Sequence, residues 1–376
     1  DSSGQGNDGD MTGHAATWVV APKDSTQYGN TLTANGDPTA GPDGKIGVGV
    51  VLDGTDDWLY GNYNNFDNAS AGTFEFWLYY DTAVAPDGFL TSDNVHPGIH
   101  NSGGDDFRVQ LDSSSGRVFD LYPNGTISTG VWMHFVATFN STIAIMYKNG
   151  DNVGEDTTPA TAYLPFDEAT DYIHIGTDRE IGGRDVDGTM DEVRISNIVR
   201  GAAWITASYE TDIDHLLDWG GEETYEETVD WLSGWEGGNR VEFTADHNDI
   251  DADLTDFPAL VYISTSSGIY SDDISFIFDE LDAGGGLGSY PNRKKIAVTK
   301  GDGTTQLYVE IEKWDDGATG NERAWLWVKA AGTDSISSAT DTDFYFYYDS
   351  SQDDNTTYVG DSGSRTEVWD SNYIMV

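Results

Sequence analysis

Short runs in which every second residue is apolar, each closed by a Gly- or Asp-rich turn, recur between residues 73 and 348. A period of two puts alternate side chains on one face of an extended strand. A chain written this way folds into stacked sheets. The clearest run is 73–80 (TFEFWLYY), with Phe74, Phe76, Leu78 and Tyr80 on one face. Runs at 132–139 and 142–148 follow, the second ending in Asn149-Gly150, a dipeptide suited to a two-residue hairpin turn. The pattern predicts further strands at 172–176 and 190–195, then one short helix over 202–209. Later strands are predicted at 240–245, 259–264, 273–278, 295–300, 306–314, 324–329 and 343–348. Short strands split by turns in this way are the signature of a second β-sandwich. Between the two sets, 212–234 is acidic and without alternation. It reads as a linker or a packed inter-domain segment, because its Leu and Trp residues do not suit a free tether.

The chain has 376 residues, enough for two or three domains. Its 12 Trp, 20 Tyr and 15 Phe exclude a disordered chain. Eighteen Lys and Arg against 66 Asp and Glu give a net charge of -48. That field repels nucleic acid and anionic membrane. It also repels other copies of the chain unless salt or divalent cations screen it. Cysteine is absent, which excludes disulfides, thiol catalysis and Cys-based zinc sites. No apolar run approaches about 18 residues, so no membrane insertion is expected. Together these features lead us to expect a prokaryotic protein, bacterial or archaeal, that is extracellular or at the cell surface. Asn68, Asn124, Asn140 and Asn355 head N-x-[ST] sequons and are candidate glycosylation sites.

The words at 1–13 (DSSGQGNDGDMTG), 44–59 (GKIGVGVVLDGTDDWL), 73–80, 132–150 and 188–209, in that order, resemble the laminin-G-like branch of the concanavalin A-like jelly rolls. The words at 249–264, 273–278, 308–314, 324–329, 343–350 and 367–376 resemble a domain of unknown function common in prokaryotic surface proteins. The expected fold is therefore all-β, a concanavalin A-like jelly-roll sandwich plus a second β-sandwich domain. In the resembling family the jelly roll opens with a hydrophobic strand ahead of the word matching 1–13. Here a segment of that kind, Asn372, Tyr373, Ile374, Met375 and Val376, stands at the far end. The expected division is a jelly roll over 1–211 completed by a strand like 372–376 from a neighbouring unit, a linker over 212–234, a second sandwich over 235–371, and a candidate donor strand over 372–376. The chain is then one repeat of a covalent array, or a subunit that donates its strand head-to-tail and builds filaments. The plainer alternative makes 372–376 the last strand of its own domain.

The resemblance also implies sites. Asp53, Asp56, Asp57, Asp191 and Glu192 match words that lie near a structural calcium site in the family, and calcium takes six to eight oxygen ligands. Turn chemistry explains the same Asp residues without a metal. Jelly rolls of this kind bind glycans, and Trp58, Tyr60, Tyr63 and Asn64 have the aromatic and amide composition of a carbohydrate site. Core packing is the competing fate of such aromatics. Catalysis is not expected. The string 310–315 (EIEKWD) departs from the E-x-D-x-x-E word of jelly-roll glucanases at two positions, and the seven His form no H-E-x-x-H. The segment 249–256 lacks the Gly and the bidentate Glu of an EF-hand. The leading expectation is a structural and adhesive repeat of a surface filament or stalk, with copies of itself or neighbouring repeats as partners. The alternatives are a carbohydrate-binding adhesin module that recognises surface glycans, and accessory domains of a secreted glycoside hydrolase.

Overall fold

The computed structural model describes residues 24–41, 44–62, 66, 69–83, 86–92, 98–103, 106–113, 116–123, 126–161, 172–178, 183–227, 229–282, 288–316, 321–329, 335–361 and 366–376. The word at 1–13 and the candidates Tyr63, Asn64, Asn68 and Asn124 lie outside them.

In chain order the strands are β1 (Leu32–Asn35), β2 (Thr39–Gly41), β3 (Gly49–Asp53), β4 (Trp58–Asn62), β5 (Gly72–Thr82), β6 (Gly88–Ser92), β7 (Gly98–Gly103) and β8 (Asp106–Ser113). There follow β9 (Gly116–Leu121), β10 (Trp132–Phe139), β11 (Ala144–Lys148), β12 (Asp151–Asp156), β13 (Tyr172–Ile175) and β14 (Asp187–Ser196). After helix α1 (Ala202–Asp212) come β15 (Leu217–Thr224), β16 (Asn239–Ala245) and β17 (Pro258–Ile263), then α2 (Phe276–Leu281) and β18 (Ile296–Lys300). The chain ends through β19 (Gln306–Leu307), β20 (Val309–Asp315), β21 (Arg323–Lys329), β22 (Thr342–Tyr348), β23 (Val359–Asp361) and β24 (Tyr373–Met375). Two compact units result, Asp1–Ile205 with Ser371–Val376, and Thr206–Asp370.

The first unit is a two-sheet sandwich. One sheet runs β1-β4-β13-β6-β7-β8-β9, the other β12-β11-β10-β5-β14-β3-β2 with β24 added to β14. The alternation of β5 delivers Phe74, Phe76, Leu78 and Tyr80 into the core, where they join Phe107 and Val109 of β8, Phe135 of β10, and Ile173 and Ile175 of β13. The rings of Phe107 and Phe135 stack across the two sheets at 4.2 Å. Asn149 and Gly150 take φ of 52° and 83°, the left-handed pair that a two-residue turn between β11 and β12 requires.

The segment at 372–376 completes the jelly roll of its own chain. Strand β3 covers β14 from Asp187 to Met190, and β24 continues along the same edge at Ile195 and Ser196. Ile374 and Met375 enter the core just described. The Asn30 Nδ2 donates to the Ile374 carbonyl at 2.6 Å, and the Val376 N–H to Asp24 Oδ1 at 3.2 Å. Tyr373 lies under the Arg200 guanidinium, 4.3 Å from it. The expected position of this strand is filled from within the chain, where the sequence had suggested a neighbouring unit.

The second unit pairs a five-stranded sheet, β15-β16-β22-β18-β19, with a four-stranded one, β17-β21-β20-β23. Two expectations are corrected here. The segment 212–234 is not a linker, because its middle forms β15 against β16. A register shift between Trp219 and Glu222, at the Gly220-Gly221 pair, breaks the alternation and hides the strand. Further on, Trp231 and Leu232 are buried with Trp235, Ala297 and Tyr347. The segment 273–278 is not a strand either. Ile274, Ile277, Phe278 and Leu281 are all buried and recur at helical spacing, and the chain forms α2 there. Neither helix is long and apolar enough to cross a membrane among the described residues.

Candidate functional site

Strand register writes a single line across the whole seven-stranded sheet. Thr33 opposes Tyr60, Tyr60 opposes His174, His174 opposes Thr91, Thr91 opposes Gly98, Gly98 opposes Gln110, and Gln110 opposes Asp120. Their neighbours Leu59, Ile173, Ile175, Val109, Leu111 and Leu121 point into the core, so this row faces away from it. Six inter-strand steps make it about 29 Å long at ~4.8 Å each.

The two ends of this face are equipped differently. At one end Tyr60 meets Tyr172 edge-on at 5.6 Å and stacks against His174 at 6.2 Å. Tyr172 is 41% exposed, whereas Trp58, two residues before Tyr60, is buried. At the other end Arg108 makes a two-pronged bond to Asp120, 2.8 Å at each oxygen, and lies 4.6 Å from the ring of Tyr122. Arg117 bridges Asp112 and Asp120 at 2.5 and 2.9 Å. Turning the Gln110 amide end for end lets its nitrogen donate to His100 Nε2 at 3.2 Å and its oxygen accept from Arg108 Nη2 at 2.8 Å. Burial works to raise the Asp120 pKa, but Arg108 and Arg117 outweigh it and hold the carboxyl below its ordinary range. Asp120 is therefore a charged acceptor rather than a proton donor. Tyr122 is 49% exposed beside it.

The outer face of the other sheet carries a sealed charged group. Glu75 of β5, His134 of β10 and Arg194 of β14 are all buried there. Glu75 Oε1 lies 2.9 Å from His134 Nε2 and accepts from Arg194 Nη1 at 2.8 Å. Burial alone would raise the Glu75 pKa, yet Arg194 and His134 pull it down to about 2. Val136 and Tyr147 on the same face pack against Ile205 of α1.

The five expected calcium ligands do not converge. Asp53 pairs with Asp187 at one end of β3, while Asp191 lies four residues further along β14, about 13 Å away at ~3.3 Å per residue. Asp191 accepts from the Ile46 N–H at 2.9 Å and the Glu192 N–H at 3.0 Å. Burial and the adjacent Glu192 push its pKa well up. Glu192 accepts from Arg194 at 2.7 Å. Neither carboxyl is arranged with the others around an ion.

At the other end, Asp37 joins Asp56 and Asp57, with one carboxylate oxygen of each within 4.8 Å of the others. Asp53 stays outside, its Oδ1 accepting from the Thr55 N–H at 2.9 Å. Gly36 makes room for this trio, since a Cβ there would lie 2.4 Å from Asp57 Oδ1. Burial raises the Asp57 pKa, and the charges of Asp53 and Asp37 add to it. Crowded carboxylates with only oxygen donors fit a hard divalent cation such as calcium.

Two sequon asparagines are described. Asn140 accepts from the Thr142 N–H and hydroxyl at 2.9 and 2.8 Å, closing a local turn. Asn355 commits its Nδ2 to the Ile296 carbonyl and to Gln306 Oε1, both at 3.0 Å. A glycan on Asn355 would have to break both bonds. In the former glucanase-like string, Glu310 is fully buried and accepts from Trp369 Nε1 at 2.7 Å.

Residues 53–206 match the family model of the concanavalin A-like lectin/glucanases superfamily. The first unit is thus a concanavalin A-like sandwich, and the second is a further β domain. Among curated proteins none matches the chain. Among solved structures, domain 4 of an extracellular arabinanase from Geobacillus stearothermophilus, in complex with arabinotriose, is 19% identical with a TM-score of 0.38, over 47% of this chain and 86% of that one. The CBM40 domain of a Ruminococcus gnavus sialidase is 10% identical with a TM-score of 0.33, over 38% and 84%. The receptor-binding domain of a mosaic botulinum neurotoxin of serotype C/D is 12% identical with a TM-score of 0.41, over 86% and 93%.

Proposed function

We propose that the first unit binds carbohydrate on the outer face of its seven-stranded sheet, and that the chain is a binding module of a surface or extracellular protein and not an enzyme. One observation carries this reading. Exposed Tyr122 lies beside Arg108 and Asp120 at one end of this face, and exposed Tyr172 beside Tyr60 at the other. A sugar ring offers an apolar C–H face for a tyrosine and a rim of hydroxyls for charged acceptors and guanidinium donors. The lectin content of the matched superfamily supports the same assignment. Calcium held by Asp37, Asp56 and Asp57 stiffens the β1–β2 and β3–β4 connections and offsets part of the -48 charge.

The test is a glycan array probed with the intact chain and with Tyr172→Ala, Tyr122→Ala and Arg108→Ala variants. Binding to a defined glycan class that weakens at least about tenfold in a variant is expected. An array on which the intact chain binds nothing, or on which all three variants match it, would remove the reading.

A second reading rests on β24, which reaches β14 only after the 165 residues of Thr206–Asp370. The strand is held by main-chain bonds that another copy could supply equally well, so exchange between copies gives an open, head-to-tail array. Light scattering in calcium over a wide range of protein concentration tests it. Growth of the mass with concentration, lost in a chain that stops at Asp370, is the expected result. A constant monomer mass removes the filament.

A further inference from the structure

The second unit carries a surface cleft of about 650 Å³ whose lining includes Thr224, Glu226, Asp230, Arg240, Asp302 and Tyr345. Its floor is built around Arg240, whose side chain is only 4% exposed. Arg240 Nε donates to Glu223 Oε2 at 2.7 Å, and Nη1 donates to the Asp230 carbonyl at 2.8 Å and to the Tyr347 hydroxyl at 2.9 Å. Its guanidinium lies 3.7 Å from the ring of Tyr345 and 4.4 Å from that of Trp231. These contacts use Nε and Nη1, and among the described residues no hydrogen bond uses Nη2. Nη2 is not sealed from solvent, so it is free to take an acceptor from the cleft.

The rim calls for donors. The carboxylates of Glu226 and Asp230 accept no hydrogen bond from described residues, and both are exposed. Asp302 is occupied by Thr304 and Thr305. An anion is repelled by these carboxylates. A simple cation suits the carboxylates but leaves Nη2 without an acceptor. A neutral hydroxyl group meets both needs, because it donates to a carboxylate while its oxygen accepts from the guanidinium. Beside the cleft in sequence, Tyr225 is 41% exposed and holds an edge-on contact with Trp231 at 5.6 Å. That fixed and exposed ring offers a stacking surface, which the Arg240-covered face of Tyr345 does not.

We infer that this cleft is a second sugar site, for a neutral hydroxyl-rich ring held by Arg240, Glu226 and Asp230 and stacked on Tyr225. It belongs to the second unit and does not depend on the sheet face of the first.

Calorimetry tests it with the full chain carrying Tyr122→Ala, Tyr172→Ala and Arg108→Ala, so that the first-unit face is silent. The probes are neutral hexose tetrasaccharides derived from mannan, glucan and galactan, each titrated to roughly 10 mM, where weak single-site binding is still measurable. Binding of at least one is expected. Adding Glu226→Gln and Asp230→Asn should weaken it at least about tenfold, the scale of one charge-assisted hydrogen bond. The melting temperature should not move, because neither carboxylate bonds to the fold. Tyr225→Ala provides an independent loss of affinity. The proposal is overturned if none of the tetrasaccharides binds, or if binding persists undiminished through all three changes. Failure of the first-unit reading leaves this outcome untouched, because that face is already removed.

Discussion

The two outer faces of the first sandwich spend their polar residues in opposite ways. On the eight-stranded sheet, Glu75, His134 and Arg194 are buried and bonded to one another. On the seven-stranded sheet, Arg108 and Asp120 bond as tightly but stay half-buried beside exposed Tyr122. A charged network sealed from water serves the architecture, since removing one member leaves the others stranded in a low-dielectric setting. A network of the same chemistry left open to water adds little stability and stays available to a ligand. Polarity alone does not separate structure from recognition. Its exposure and its aromatic company do.

Breaking the sealed face should have the largest effect. Glu75→Gln is expected to lower unfolding free energy by about 3–5 kcal/mol in urea titrations, the usual result of splitting a buried ion pair. Its pH dependence has a definite sign. The Glu75 pKa falls from an ordinary 4.5 to about 2 in the folded chain. Its contribution is therefore full above pH 4.5 and lost as the pH falls toward 2, a total of about 3 kcal/mol at ~1.36 kcal/mol per unit. Asp191 works against this trend, because its raised pKa favours the folded state in acid. Melting curves between pH 6 and pH 2.5 should be steeper for the native chain than for Glu75→Gln.

Next in size, Ile374→Ala in β24 should cost about 2–5 kcal/mol, as for other fully buried aliphatic side chains, when measured in the same titrations. Calcium ranks third. At a hundredfold excess over Kd it should add up to about 2.7 kcal/mol, read as a higher melting temperature that a chelator reverses and Asp57→Asn abolishes. The open face closes the series. Arg108→Ala should shift stability by less than about 1 kcal/mol, while removing the glycan binding proposed for that face. A large destabilisation from Arg108→Ala would erase the contrast between the two faces.

How much of this was legible in the sequence follows from range. The buried alternation of β5 is local, and 73–80 shows it directly. The edge strand β15 was hidden by its own bulge at Gly220-Gly221, and α2 by reading six residues where the helical spacing of Ile274 to Leu281 needs eight. Tyr60 was legible as a candidate because aromatics crowd 58–63. Tyr172, Arg108 and Asp120 were not, because strands far apart in sequence bring them onto one face, and nothing near any of the three marks it as a companion of Tyr60. Asp37 was missed for a similar reason. It meets Asp57 across 20 residues, and only the left-handed Gly36 before it hinted at a tight approach.

The placement of β24 also fixes an order of events during synthesis. The sandwich at the start of the chain lacks its last strand until residue 376 has been made. At roughly 5–20 residues per second, the 165 residues of the intervening unit take about 8–33 s to emerge. Throughout that interval the far half of β14 presents an unpaired edge, and the core that Ile374 and Met375 will fill stays open. Of these two units, the one that begins earlier is thus finished later, and any factor that shields a nascent strand edge would find its target there.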